Sequence, residues 1–259
     1  VWKGHPHCEG LIRDWASWQR EGGAEFEALK SVLKALSPSD TEPLRPGSLR
    51  KVTLDDPIRY PTLAMPYGED VAIIHASSGM RRIAVLAYLI VWAWFEHIAS
   101  ADLHGKQSVK EIIFLIDGIE THLHPQWQRR IVPALLKVME LMTGKHNIQV
   151  QIITTTHSPL VLASMEPIFD PHRDSLFLLN LDNQQVTVRE IAWSKQGDVV
   201  NWLVSETFGM QQGRSLDAER AIEAAEAWMR GEQGGLPEGL NAQKKIDDEL
   251  RRVLAGHDP

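Results

Sequence analysis

Ile112-Ile113-Phe114-Leu115-Ile116 is a run of five apolar residues that stops at Asp117. A run of this length and composition predicts a buried strand of a parallel sheet. A second run, Val150-Gln151-Ile152-Ile153-Thr154-Thr155, leads into Thr156-His157-Ser158-Pro159. Residues 126–142, between the two runs, read as a helix. Parallel strands require a crossover of that kind. Ligands of open α/β sheets bind beyond the carboxyl ends of the strands, so the two runs bring an acid and an imidazole toward one edge. Upstream, Ala76-Ser77-Ser78-Gly79 opens a long apolar helix. An acid, a histidine and a Ser-Gly helix start suit magnesium and phosphate chemistry.

Three sections follow from the patterning. Residues 1–70 form a helical and irregular segment. Helical spacing covers 9–19 and 25–36, and Pro43, Pro46, Pro57, Pro61 and Pro66 then impose turns and extended chain. Residues 71–191 hold the sheet, with strands expected at 71–75, 111–116, 150–155, 176–181 and 186–191. The last two read as a hairpin. Residues 192–259 turn helical, at 201–207, 215–231 and 242–254, with a Gly/Pro loop over 231–239.

Lys and Arg number 27 against 34 Asp and Glu, giving a formal charge of −7. That total implies no broad basic face for nucleic acid and leaves a local patch open. Cys8 is the single cysteine, which excludes an internal disulfide framework and fits a reducing compartment. The apolar stretch 83–95 is bracketed by Arg81-Arg82 and Glu96-His97. It falls short of the roughly 20 residues a membrane span needs. A cytoplasmic chain that does not enter the membrane is the expectation.

Taken in order, these motifs resemble the second half of an ABC-class, AAA-like ATPase, the group that includes RecF-, SMC- and OLD-like proteins. Residues 76–82 resemble the signature segment and 112–117 the Walker B strand. Ile119-Glu120-Thr121-His122-Leu123-His124-Pro125 resembles the E-x-HLHP stretch, and Thr156–Pro159 the switch-histidine motif. The resemblance runs over 71–190 and extends to the charged helix near 213–225. It implies an α/β, ABC-type ATPase sandwich with a parallel-rich central sheet and helical N-terminal and C-terminal segments. ATP and Mg2+ are the cofactors it implies. By the same resemblance Asp117 organises the metal, His157 senses the γ-phosphate, and Ser77, Ser78 and Gly79 contact nucleotide held by another subunit.

Two departures qualify that picture. No G-x-x-x-x-G-K-[ST] phosphate loop occurs in the 259 residues. Either the loop lies N-terminal to Val1, or the chain lends only its signature half to a partner's site. Gly118 stands where the family usually carries the Glu that acts on the attacking water, and glycine cannot serve as a base. Impaired hydrolysis is the consequence, and Glu120 is read as part of the next turn.

Each of these residues also has a plainer role. Ser77 is also an ordinary helix N-cap, worth about 1 kcal/mol. Asp117 is also a strand terminus, although an acid after buried apolar residues needs a metal or a donor. His157 is also a core histidine. His122 and His124 invite a metal reading, for which a dimer-contact turn is the alternative, and His5, His7 and Cys8 lack a second cluster. Tyr88, Trp92, Trp94 and Phe95 read as core before they read as a base-stacking platform. Arg81 and Arg82 either face nucleotide or pair with surface acids. The resemblance implies a homodimer or higher oligomer. Bacterial proteins of this type, Septu-type anti-phage ATPases among them, work with a nuclease subunit. A RecF/SMC-type repair ATPase acting on nucleic acid is the rival, and a non-catalytic regulatory scaffold is the reading outside the enzymes.

Overall fold

The computed structural model describes residues 9–105, 109–144, 148–232, 234 and 236–256. They form two compact units, one ending at Asp170 and one beginning at Pro171.

In the first unit, α1 (Leu11–Glu21) buries Trp15 and Ala16, and Gly22 ends it in the left-handed conformation that helix termini favour. Helix α2 (Ala24–Ala35) buries Leu29, Val32 and Leu33, the i, i+3, i+4 stripe of an amphipathic helix. Strands β1 (Thr62–Ala64) and β2 (Asp70–Ala72) pair antiparallel. The strand expected over 71–75 ends at Ala72, because Ile73–His75 tightens into a 3-10 turn.

Helix α3 (Ser78–Leu103) is the centre of the unit. By length and composition it could cross a membrane, well beyond the stretch bracketed in the sequence. One side of it packs into the core. Ile83, Ala84, Ala87, Tyr88, Val91 and Trp94 are buried. The Tyr88 hydroxyl donates to Asp14 Oδ2 at 2.5 Å, and its ring lies 5.6 Å from Trp18. Val85 and Leu89 on the opposite side are half exposed.

Strands β3 (Glu111–Ile116) and β4 (Gln149–Thr154) pair parallel, in register from Glu111↔Gln149 to Ile116↔Thr154. Phe114, Ile116, Val150 and Ile152 face the core. The other face is not buried: Ile113 is 60% exposed and Leu115 75%. The apolar run is thus buried on one face among the described residues, where burial on both was expected. The crossover also differs from a single helix. It splits into α4 (Pro125–Gln128) and α5 (Ile131–Thr143). Pro133 explains the break, since it has no N–H for the carbonyl of Arg129 and its ring crowds that position. The indole N–H of Trp127 donates to Leu36 O at 2.9 Å and ties α4 to the end of α2. Helix α6 (Pro159–Met165) closes the unit against α5.

In the second unit, β5 (Leu176–Asp182) and β6 (Gln185–Ile191) form the expected hairpin. Asn183 and Gln184 both have positive φ, as a two-residue turn that matches the strand twist requires. Helix α7 (Val199–Val204) is capped by Asp198, and α8 (Leu216–Met229) by Ser215. Helix α9 (Gln243–Val253) packs on α8 around Ala224, Leu240 and Ile246.

Candidate functional site

The carboxyl ends of β3 and β4 are laced together side chain by side chain. Asp117 is exposed, and its Oδ1 accepts the Thr155 hydroxyl at 2.5 Å. The same hydroxyl accepts the Gly118 N–H at 2.8 Å. The donor that an acid after apolar residues requires is therefore a threonine just past the end of the neighbouring strand. One carboxylate oxygen remains for other partners. Magnesium needs only one or two carboxylates beside its waters, so this hard oxygen fits that ion.

Gly118 sits at φ +56, and the Thr121 hydroxyl donates to its carbonyl at 2.6 Å. A Cβ here would lie 2.5 Å from Thr121 Oγ1. The turn is thus built around glycine in the left-handed region. Arg82 of α3 reaches the same turn, donating from Nη2 to Gly118 O at 2.8 Å and to Asp117 O at 3.4 Å. Arg81 donates to Ile74 O. Neither arginine makes a surface ion pair among the described residues.

Glu120 does more than belong to the next turn. Its Oε1 accepts the His157 N–H at 2.8 Å and its Oε2 accepts the Thr156 hydroxyl at 2.7 Å. Burial would raise its pKa, but these two bonds, its own N–H and the nearby His157 outweigh that and hold the carboxyl below its ordinary value. Both oxygens are engaged, so Glu120 clamps the Thr156-His157 segment. No spacing rule marks this role, because the contact crosses 37 positions of sequence.

His157 is exposed, and its ring makes no hydrogen bond among the described residues. Its backbone is fixed from both sides. Glu120 holds its N–H, and the buried Ser158 donates to Gln128 Oε1 at 2.6 Å just before α6 begins. It is not a core histidine.

Ser77 caps α3, its Oγ accepting the Met80 N–H at 3.3 Å. Gly79 is buried, and a Cβ there would stand 3.0 Å from His122 O. The close approach of two backbones thus favours glycine at 79 before any ligand is considered. No hydrogen bond joins Ser77 or Ser78 to Asp117 or His157 among the described residues. The link between the two parts is Arg82 together with the Gly79–His122 contact. His122 has φ +63, and His124 Nδ1 caps α4 through the Gln126 N–H. No group of three metal-capable side chains occurs among the described residues, and His5, His7 and Cys8 lie outside them.

Residues 8–163, more than half of the chain and all of the lacework above, match the family described as "AAA domain, putative AbiEii toxin, Type IV TA system". The chain belongs to this AAA-domain family. Within the AAA-domain match lie the Ser77–Gly79 turn, Asp117, Glu120 and His157. The chain is 43% identical over 54 residues to the Retron Ec83 probable ATPase of Escherichia coli, a match covering 21% of this chain and 8% of that protein. It is 28% identical over 109 residues to the Septu protein PtuA of Bacillus thuringiensis, covering 40% of this chain and 24% of that protein. The chain matches less than a quarter of the length of either relative. Among solved structures, this AAA-domain chain is similar to an SMC ATPase studied for ATP-driven dimerization and DNA-stimulated activation. That match has 14% identity and a TM-score of 0.42, over 70% of this chain and 91% of that one. The SMC head domain from Thermotoga maritima matches at 15% identity and a TM-score of 0.36, over 69% and 52%.

Proposed function

We propose that the protein is an ATP-gated, dimeric ABC-class ATPase subunit whose hydrolysis is held back by Gly118. One observation carries the reading: Asp117 and the His157 segment leave adjacent parallel strands at one sheet edge and are locked together by Thr155 and Glu120. Open α/β sheets bind ligands at that edge. Asp117 would hold Mg2+ through its unbonded oxygen, and the exposed His157 imidazole would contact the γ-phosphate. The magnesium supplies charge neutralisation at the phosphates when bound. The exposed Ser77 and Ser78, at the start of a long helix, would present hydroxyls and N–H groups to nucleotide on another subunit. The bare outward face of β3 and β4 and their open edges support a phosphate-loop segment completing the sheet there.

With Glu120 committed to His157 and Thr156 and the free oxygen of Asp117 assigned to Mg2+, the usual position of the water-activating carboxylate is left to Gly118, so turnover is slow. The retron and Septu names of the relatives support a role in anti-phage defence, and the motif resemblance implies a nuclease subunit as partner.

The test is Mg-ATP binding and turnover by the full-length protein, as wild type and as the Gly118→Glu and Asp117→Ala variants. Expected are binding with slow turnover in wild type, faster turnover in Gly118→Glu, and loss of magnesium-dependent binding in Asp117→Ala. Failure of every form to bind ATP would replace this reading with a regulatory scaffold.

A further inference from the structure

Far from the sheet edge in sequence, the outer side of α1 and the loop carrying Pro57, Ile58 and Arg59 enclose an open groove of about 330 Å3. Arg13, Arg20 and Arg59 line it against a single acid, Glu9. Arg50, Arg130, Arg189, Arg230, Arg251 and Arg252 all have carboxylate partners. Arg13, Arg20 and Arg59 have none among the described residues.

Two neighbouring acids, Asp56 and Glu21, accept hydrogen bonds from elsewhere and make no ion pair with the three arginines among the described residues. Asp56 accepts the Ile58 N–H at 2.8 Å and the Tyr60 hydroxyl at 2.7 Å, so it turns back into its own loop and forms no ion pair with Arg59. Glu21 accepts the Ser17 hydroxyl at 2.7 Å. The loop is held in place before any ligand arrives. Arg50 and Tyr60 exchange two backbone hydrogen bonds, and Gln19 of α1 donates to Gly47 O at 2.7 Å. Three guanidinium groups thus face one groove on a fixed frame, in a chain of net charge −7.

We infer that this groove binds the phosphate backbone of a nucleic acid strand. Arg13 and Arg20 are seven residues apart on one helix, about 10.5 Å along its axis. Duplex DNA rises about 3.4 Å per phosphate of one strand along its axis, so with α1 parallel to that axis the pair spans about three steps, and Arg59 lines the groove from the facing loop. The planar guanidinium fork matches phosphate oxygens, and the apolar Ile12 and Ile58 offer contact to sugars. An acidic peptide is the weaker fit. The groove has no strand edge and no aromatic pocket of the kind that anchors peptides. Contacts of this type position a strand without reading its sequence. The inference uses no residue of the nucleotide site and stands or falls separately from it.

The experiment is fluorescence anisotropy of a labelled DNA oligonucleotide with the full-length protein, titrated between about 50 and about 200 mM KCl. Wild type is expected to bind with a strong salt dependence. The Arg13→Ala/Arg20→Ala/Arg59→Ala triple variant is expected to bind at least about 10-fold more weakly, with the log–log salt slope reduced by about 2 to 3. All three side chains are exposed, so the fold should persist, as circular dichroism will check. The triple Arg→Lys variant keeps the charge and should retain most of the slope, while Arg230→Ala in the second unit should change nothing. Three results overturn the inference: no binding by wild type at low salt, an unchanged slope in the triple alanine variant, or equal competition by polyglutamate.

Discussion

Replacing Gly118 is the most informative perturbation, because the turn it occupies carries the proposed chemistry. At φ +56 any L residue with a Cβ meets a penalty of about 1–2 kcal/mol that glycine escapes. The new Cβ would also stand 2.5 Å from Thr121 Oγ1. Thr121 must therefore swing away and give up its 2.6 Å bond to the Gly118 carbonyl. An exposed hydrogen bond of that kind contributes about 0.5–1 kcal/mol. Gly118→Ala is thus expected to lose about 1.5–3 kcal/mol in urea unfolding, with an unchanged m-value. Gly118→Asn should lose less, since asparagine tolerates the left-handed region. Adding Thr121→Ala should recover part of the alanine cost, because it removes the atom the Cβ strikes. If Gly118→Ala unfolds within about 0.5 kcal/mol of wild type, the turn is not built as described and the strain reasoning is wrong. The same cost applies to Gly118→Glu, so any turnover it gains comes with a less stable protein.

Other consequences follow from the same contacts. Removing the Glu120 carboxylate should loosen the His157 segment: Glu120→Ala is expected to lose about 2 kcal/mol and to speed amide exchange at His157. Its folded pKa lies below the ordinary 4.5. The contribution is therefore complete above that value and fades as pH falls through the lower folded value. Urea unfolding of wild type and Glu120→Gln should accordingly converge in acid, and a gap that widens there would refute the assignment. On β3, Phe114→Ala should cost about 2 kcal/mol, because its ring packs on the core, whereas Leu115→Ala should cost under about 0.5. Equal losses would show that the outward face is covered in solution. Gly79→Ala, pressing on His122 O, should lower the melting temperature even without nucleotide.

Much of this protein follows from local chemistry, which a sequence displays. The helices of 9–36, the parallel strands ending at Asp117 and Thr154, the β5–β6 hairpin and the Ser77 cap rest on periodicity, turn residues and capping. Each of these acts over a few positions. The family resemblance, carried by ordered motifs, agrees with the AAA-domain match over residues 8–163. The break before Pro133 was also legible in principle, since proline acts on its own turn.

What tertiary structure decided are relations between residues far apart in sequence. Glu120 with His157, Thr155 with Asp117, Arg82 with Gly118, and Gly79 against His122 each join segments more than 35 positions apart. No local pattern records such a pairing. It arises when the chain closes its core, and only then do a glycine's missing Cβ and a carboxylate's second oxygen acquire a purpose. The bare face of β3 is of the same kind. Five consecutive apolar residues promise burial, but which face is covered depends on what packs against it. The groove of Arg13, Arg20 and Arg59 sets the limit of composition itself. A net charge of −7 sums over the chain, while recognition depends on which charges the fold leaves unpaired side by side.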